Sequence, residues 1–295
     1  MKFGVGIPNY GETLNVETLR SVALEAESLG YDSLWTTDHV LMPRDSKTPY
    51  EKIFDSISTL AYLAPQTKKV KLGISSLIIA MRNPAVAAKQ LASIDSFSGG
   101  RVMLAIGAGW NEQEFGFLGS DFHTRGKKVD ESINLIRSLW AGDTSFKSRY
   151  AGINFKNGVF EPRPSSAKPT IWIGGTSKAA MKRAAELGDA WHPNAFPLEE
   201  FRKLVGEFRQ VSPKARGADI CVRIGLNTRA TQSEYVGPRG EKRILFSGNM
   251  AENREILSEL ESLGVSYAVL VTSADGKASH DEQLESLRSF AKEFL

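Results

Sequence analysis

A single cysteine, Cys221, in a chain of 295 residues excludes an intrachain disulfide and a cysteine-based zinc site. Net charge is equally scarce. Thirty-seven basic and 34 acidic residues leave a formal charge of +3, so no single-sign field points to a nucleic-acid or membrane partner. No run approaches the length of a transmembrane helix, since KLGISSLIIAMR is broken by serines and ends at Arg82. The opening MKFGVGIP lacks the charged and apolar regions of a secretory signal, and a reducing cytoplasm is the expected compartment. The four histidines, His39, His123, His192 and His280, form neither His-x-His nor His-Glu-x-x-His, so no metal site is expected. A nucleoside-triphosphate loop is missing, and the first β-α turn, PNYGETLN, lacks the glycine fingerprint of a dinucleotide fold. No strand ends on a lysine that could form a Schiff base.

What the chain has is alternation of short apolar runs with segments of helical period. KFGVGIP precedes an Asn15-capped helix pattern that stops at Gly30, and DSLWTTDH leads to Ile57, Leu60 and Ala64. KLGISSLIIA has the continuous apolar character of a strand covered on both faces, and Asn83-Pro84 then suits Ncap and N1 of a helix ending at Gly99-Gly100. RVMLAIGAGW, PTIWIGG, AWHP, ICVRIGLNT and SYAVLVTS complete eight strands, each with a following helix pattern. Eight β-α pairs predict an α/β fold, a (β/α)8 TIM barrel forming one domain over residues 1–295. Two insertions interrupt it. Residues 143–169, after the fourth helix, predict a hairpin turning at Asn157-Gly158; residues 230–248, after the seventh strand, are read as irregular.

In such a barrel the chemistry lies at the carboxyl ends of the strands. Asp38-His39 ends the second strand, and a histidine there can exchange a proton near neutral pH. Gly107-Ala108-Gly109 after the fourth strand lets backbone approach a ligand, with Asn111, Glu112 and Glu114 adding polar groups. IWIGGTSKAA places Gly174, Gly175, Thr176 and Ser177 before a helix start, where free amides and the helix dipole suit a phosphate. Trp35, Trp140, Trp172 and Trp191 read as core. Trp110, at a strand end, can face a planar ligand. Cys221 reads as buried and inert.

These residues carry a family likeness. MKFGVGIPNYG, LGYDSLWTTDHV, the long stretch from KLGISSLIIAMR to GAGWNEQEF, PTIWIGGTSKAAMKRAAELGDAWHP and LGVSYAVLV resemble, in order, the luciferase-like monooxygenase superfamily and its branch that uses the deazaflavin coenzyme F420. The resemblance implies a barrel with a flavin or deazaflavin in its mouth, backed by a non-proline cis peptide at Ser75-Ser76. It implies a phosphate on Gly174, Gly175, Thr176 and Ser177, a hydrogen bond from Asp38 to the cofactor, and His39 at the reactive edge as the proton-transfer group. Ala108, Gly109, Trp110 and Asn111 would line the other side, and Arg44, Lys47 and Arg82 are candidates to meet the acidic F420 tail. The hairpin near Asn157-Gly158 would exclude water. Relatives that oxidise a sugar phosphate carry a glutamate where this chain has Trp110, which argues against that substrate and leaves Glu112 as the substitute proton-transfer group.

The implied activity is hydride transfer between F420 and a small organic substrate of the alcohol, imine or enone class. The competing readings are an FMN-dependent monooxygenase using reduced flavin and dioxygen, and a non-catalytic flavin-binding barrel. A homodimer is common among similar proteins, and a separate flavin or F420 reductase would supply reduced cofactor.

Overall fold

The computed structural model describes residues 1–165 and 170–295; the last residues of the first insertion, 166–169, lie outside the described residues. Eight parallel strands close into a barrel: β1 (Lys2–Gly6), β2 (Ser33–Thr36), β3 (Lys71–Leu77), β4 (Val102–Ile106), β7 (Ile171–Gly174), β8 (Ala190–His192), β9 (Asp219–Leu226) and β12 (Val265–Val271). Closure is by β12 onto β1, with Val5 opposite Leu270, and by β8 onto β9, with Trp191 opposite Ile220. The expected (β/α)8 architecture is therefore the observed one.

Helices α1 (Val16–Ser28), α2 (Ser56–Leu63), α3 (Pro84–Ser98), α5 (Arg125–Ala141), α6 (Lys178–Leu187), α7 (Leu198–Gln210), α8 (Met250–Ser262) and α9 (His280–Phe294) connect the strands. Their starts follow the local chemistry. Asn15 accepts from the Thr18 amide at 2.8 Å, Asn83 accepts from Ala85 and Val86 before Pro84 at N1, and Ser177 accepts from Ala180 at 3.2 Å. Gly99, at φ 72°, ends α3 in the left-handed conformation that favours glycine. No helix among the described residues is long and apolar enough to cross a membrane.

Strand side chains alternate between two cores. Leu34, Ile74, Leu104, Ile173 and Trp191 point outward under the helices, and Trp35, Met103, Ala105, Trp172, Ala190, Cys221 and Tyr267 fill the barrel. Trp35 and Trp172 stack at 4.7 Å between ring centroids. Gly73 on β3 makes room for them: a Cβ there would lie 2.4 Å from Trp35 Cε3.

Both insertions differ from expectation. In the first, β5 (Ser145–Lys147) pairs with β6 (Asn154–Lys156), and the chain reverses between them at residues 148–153; Asn157, at φ 56°, and Gly158 lie beyond the hairpin. Ser148 displaces the turn by donating to the Ile153 carbonyl and accepting its amide, which closes the reversal early. The second insertion is not irregular. It forms an antiparallel hairpin, β10 (Glu234–Val236) with β11 (Lys242–Phe246), and β11 extends the barrel sheet by pairing with β9. A short helix, α4 (Glu112–Phe117), also occupies what the sequence reads as loop after β4.

Candidate active site

The strand period that fills the barrel also builds the floor of its mouth. Two residues beyond each inward-facing core position, on the same face, stand Thr37 after Trp35, Ser75 after Gly73, Gly107 after Ala105, Gly174 after Trp172, His192 after Ala190 and Arg223 after Cys221. All six line a cavity of ≈ 590 Å³, a volume ordinary for a cofactor or substrate site.

The Ser75–Ser76 peptide is cis, as the resemblance implies. It lies in a bulge, because β3 spends one residue more than β4 between the pairs Ile74–Leu104 and Leu77–Ile106. Ser75 and its carbonyl are fastened from across the barrel. His192 Nδ1 donates to the Cys221 carbonyl at 2.6 Å, so its Nε2 accepts from the Ser75 hydroxyl at 2.7 Å. Burial, with Arg223 adding to it, depresses His192 to about 4, so the ring is neutral and this tautomer is fixed. Arg223 donates to the Ser75 carbonyl at 3.2 Å and to Thr37 Oγ1 at 2.9 Å. Sequence reading gave His192 and Arg223 no role. The signal that could have found them is the inward parity of two polar residues in otherwise apolar strands.

His39 lines the cavity and is 5% exposed. Tyr50 stacks on its ring at 4.6 Å and Trp110 packs edge-on at 5.8 Å. Its Nδ1 faces Glu114 Oε2 at 2.7 Å, and Glu114 Oε1 accepts from the amides of Val40 at 2.7 Å and Leu41 at 3.3 Å. Burial opposes ionisation of Glu114, but His39 and the two amides outweigh it and hold the carboxyl below its usual range. An ionised Glu114 only accepts, so Nδ1 carries a proton, and in the neutral ring Nε2, which makes no hydrogen bond to the described residues, is left to accept one.

Several expected residues sit elsewhere. Glu112 is turned outward on α4 and pairs with exposed His123 at 3.5 Å; Glu114, two positions on, points inward instead. Asn111 is the α4 cap, accepting from the Glu114 amide, and does not line the cavity. Asp38 does line it, but its carboxylate is engaged within the protein by Ser56, Arg82 and the Ile78 amide, which ties β2 to the segment after β3. Arg82 is thereby committed to Asp38 and Asp55 and is not free for an acidic tail. Arg44 and Lys47 are exposed and line no part of the cavity; neither does the β5–β6 hairpin, and the insertion that reaches the mouth is β10–β11, through Pro238, Arg239 and Arg243.

Ala108, Gly109 and Trp110 also line the cavity, as do Gly174, Gly175, Thr176 and Ser177 at the start of α6. Ser76 is flanked by glycine on two strands: a Cβ on Gly107 would lie 3.2 Å from its Cβ, and one on Gly174 would lie 2.9 Å from its Oγ. The two glycines thus leave room for the Ser76 side chain at the bulge. Arg125, at the start of α5, also lines the cavity, with its cation over Phe122 at 3.6 Å and its Nε buried without a hydrogen-bond partner among the described residues.

Comparison with known proteins finds both FMNH(2)-dependent and F420-dependent relatives. The chain is 29% identical over 241 residues to an FMNH(2)-dependent dimethylsulfone monooxygenase of Pseudomonas fluorescens, covering 77% of this chain and 64% of that protein. It is 31% identical over 200 residues to an F420-dependent glucose-6-phosphate dehydrogenase of Amycolatopsis mediterranei, covering 63% of this chain and 56% of that one. The chain thus spans less than two thirds of the length of these relatives. Among solved structures, an F420-dependent secondary alcohol dehydrogenase superposes with a TM-score of 0.79 at 16% identity, over 99% of this chain and 98% of that one. The tetrahydromethanopterin reductase of Methanopyrus kandleri, which is coenzyme F420 dependent, gives 0.75 at 16% identity, over 99% and 97%. The profile of the luciferase-like monooxygenases matches residues 1–262, and the chain belongs to that family.

Proposed function

We propose that the protein is an oxidoreductase that transfers a hydride between coenzyme F420 and a small organic substrate. The observation that carries the reading is a buried histidine with one nitrogen fixed by a carboxylate, lining the same cavity as a glycine-walled bulge and a helix N-terminus. A bound deazaflavin supplies the hydride donor or acceptor.

The residues present fit such a group. The bulge at Ser75-Ser76, flanked by Gly107 and Gly174, is backbone against which a ring can lie, and the amides that open α6, with Thr176 and Ser177, offer donors to its phosphate. Arg125 adds a cation with no carboxylate partner among the described residues. His39 Nε2 takes the substrate hydroxyl proton during oxidation, or returns it during reduction. Glu114 holds the ring in the required tautomer and stabilises the charge it gains. Trp110 and Tyr50 pack around His39 and keep bulk water from the proton path.

The same wall suits FMN, and the resemblance to FMNH(2)-dependent relatives keeps a monooxygenase as the second reading. Assembly as a homodimer belongs to the proposal as well: Val86 and Phe97 on α3 are 54% and 68% exposed, and their separation is about three helical turns, which puts both on one stripe. The test is titration of the purified protein with F420 and with FMN, followed by absorbance and fluorescence. Preferential F420 binding is expected. Preferential FMN binding moves the reading to the monooxygenase, and binding of neither overturns both.

A further inference from the structure

Beside His39 the cavity is strongly cationic. Arg223 rises from the barrel floor and donates to the Ser75 carbonyl, Thr37 Oγ1 and, at 3.5 Å, the Tyr10 hydroxyl; no carboxylate pairs with it among the described residues. Arg239 and Arg243 enter from the β10–β11 hairpin and line the same cavity. They share one acid: Glu241 accepts from Arg243 Nε at 2.9 Å and lies 3.8 Å from Arg239 Nε. Among the described residues the only carboxylate that lines the cavity, Asp38, is held by Arg82.

These cations gather at the reactive end. Tyr10 and Tyr50 pack at 5.0 Å, Tyr50 stacks on His39, Arg223 reaches the Tyr10 hydroxyl at 3.5 Å, and Arg243 lines the cavity together with Tyr50 and His39. The donors suited to a cofactor phosphate are elsewhere, at the α6 start with Arg125. A largely buried guanidinium without a counter-ion is costly, and an anionic ligand supplies the missing charge.

We propose that Arg223, Arg239 and Arg243 form an anion subsite beside His39, and that the substrate is a small organic anion, a carboxylate or phosphonate, with its reacting carbon a few bonds from the charged head. The inference rests on the hydride-transfer reading for the reaction itself, but the subsite stands on geometry alone. The β10–β11 hairpin thereby selects the substrate. Arg223 holds its charge at the barrel floor, Arg243 is buried beside Glu241, and Arg239, with a side chain 48% exposed, guards the entrance.

The test is isothermal calorimetry of the full chain, with and without F420 or FMN, against three probes: 2-pentanone, 4-oxopentanoate and 3-oxobutylphosphonate. The anions are expected to bind about 10- to 100-fold more tightly than the neutral ketone, the gain from charge-assisted hydrogen bonds. That preference should shrink with added salt, and the ratio between the two anions separates a planar head from a tetrahedral one. Arg239→Gln, on the exposed rim and not expected to perturb folding, should cut the preference several-fold and leave cofactor affinity unchanged. Arg223→Gln should abolish it, with circular dichroism checking the fold. Equal affinity for ketone and anions overturns the proposal. So does loss of F420 affinity in Arg239→Gln with the anion preference intact, which would give the arginines to the cofactor. If neither cofactor binds but the preference persists and falls in Arg239→Gln, the subsite is upheld and the hydride-transfer reading fails.

Discussion

Glu114→Gln tests the proton-transfer arrangement most directly. Three donors converge on the Glu114 carboxylate: His39 Nδ1 at 2.7 Å on one oxygen, and the Val40 and Leu41 amides at 2.7 Å and 3.3 Å on the other. Glutamine keeps one oxygen and turns the other into an NH2 donor. The backbone amides cannot change character, and leaving them unpaired would cost about 1–3 kcal/mol each, so the remaining oxygen stays with them. The NH2 group then faces His39 Nδ1, which must accept, and the ring proton moves to Nε2. A neutral His39 in that tautomer cannot take a proton from substrate. The expected loss is about 10²- to 10⁴-fold in turnover, as when amide replacement of a buried acid misorients a catalytic histidine elsewhere, with little change in KM. Nitrogen NMR of labelled protein reads the tautomer without cofactor or substrate, and single-turnover kinetics read the rate. The same tautomer in both proteins, or a variant rate within about threefold of the parent, would refute the reasoning.

Two further outcomes concern the fold. His192, neutral in the folded chain with a value of about 4 against an ordinary 6.5, binds its proton more readily when unfolded; its contribution is complete above pH 6.5 and falls by about 3 kcal/mol as the pH drops towards 4. Urea midpoints measured across that window should decline in the parent and decline less in His192→Gln; parallel declines would remove His192 as the cause. Gly73→Ala would put a Cβ 2.4 Å from the Trp35 ring and should destabilise the barrel by about 1–3 kcal/mol, with a changed near-ultraviolet spectrum from the Trp35–Trp172 stack. An unchanged midpoint and spectrum would show that the interior repacks freely.

Much of this fold is written locally. The apolar runs and the caps at Asn15, Asn83 and Ser177 lie within a few residues of the elements they define, so periodicity and capping chemistry reach them. The reversal in the first insertion escaped because the Asn157-Gly158 signal is satisfied just after β6, while the Ser148–Ile153 bonds that close the turn have no comparable pattern. The β10–β11 pair escaped because three residues of β10 are too few to show a period of two. The choice of Glu112 over Glu114 has a geometric origin. Read as loop, residues 112 and 114 are equivalent; wound into α4 they stand about 200° apart, and only Glu114 turns toward His39.

Charges in the mouth were harder to read for a different reason. Asp38, Arg82 and Arg223 are each a lone ionic residue in or beside an apolar strand. What separates them is whether a partner consumes the charge, and those partners are distant in sequence: Arg82 closes on Asp38 over 44 positions, between the neighbouring strands β2 and β3, and Arg223 reaches the Ser75 carbonyl over 148, across the barrel. The first pairing needs only β2 beside β3, whereas the second exists only once β12 has closed on β1 and β8 on β9. The β2–β3 pairing neutralises Asp38, which the sequence offers as a cofactor ligand, and closure leaves Arg223 without a carboxylate among the described residues. The sequence thus marks which strand ends face the mouth, and the closed barrel decides which of their charges remain available to a ligand.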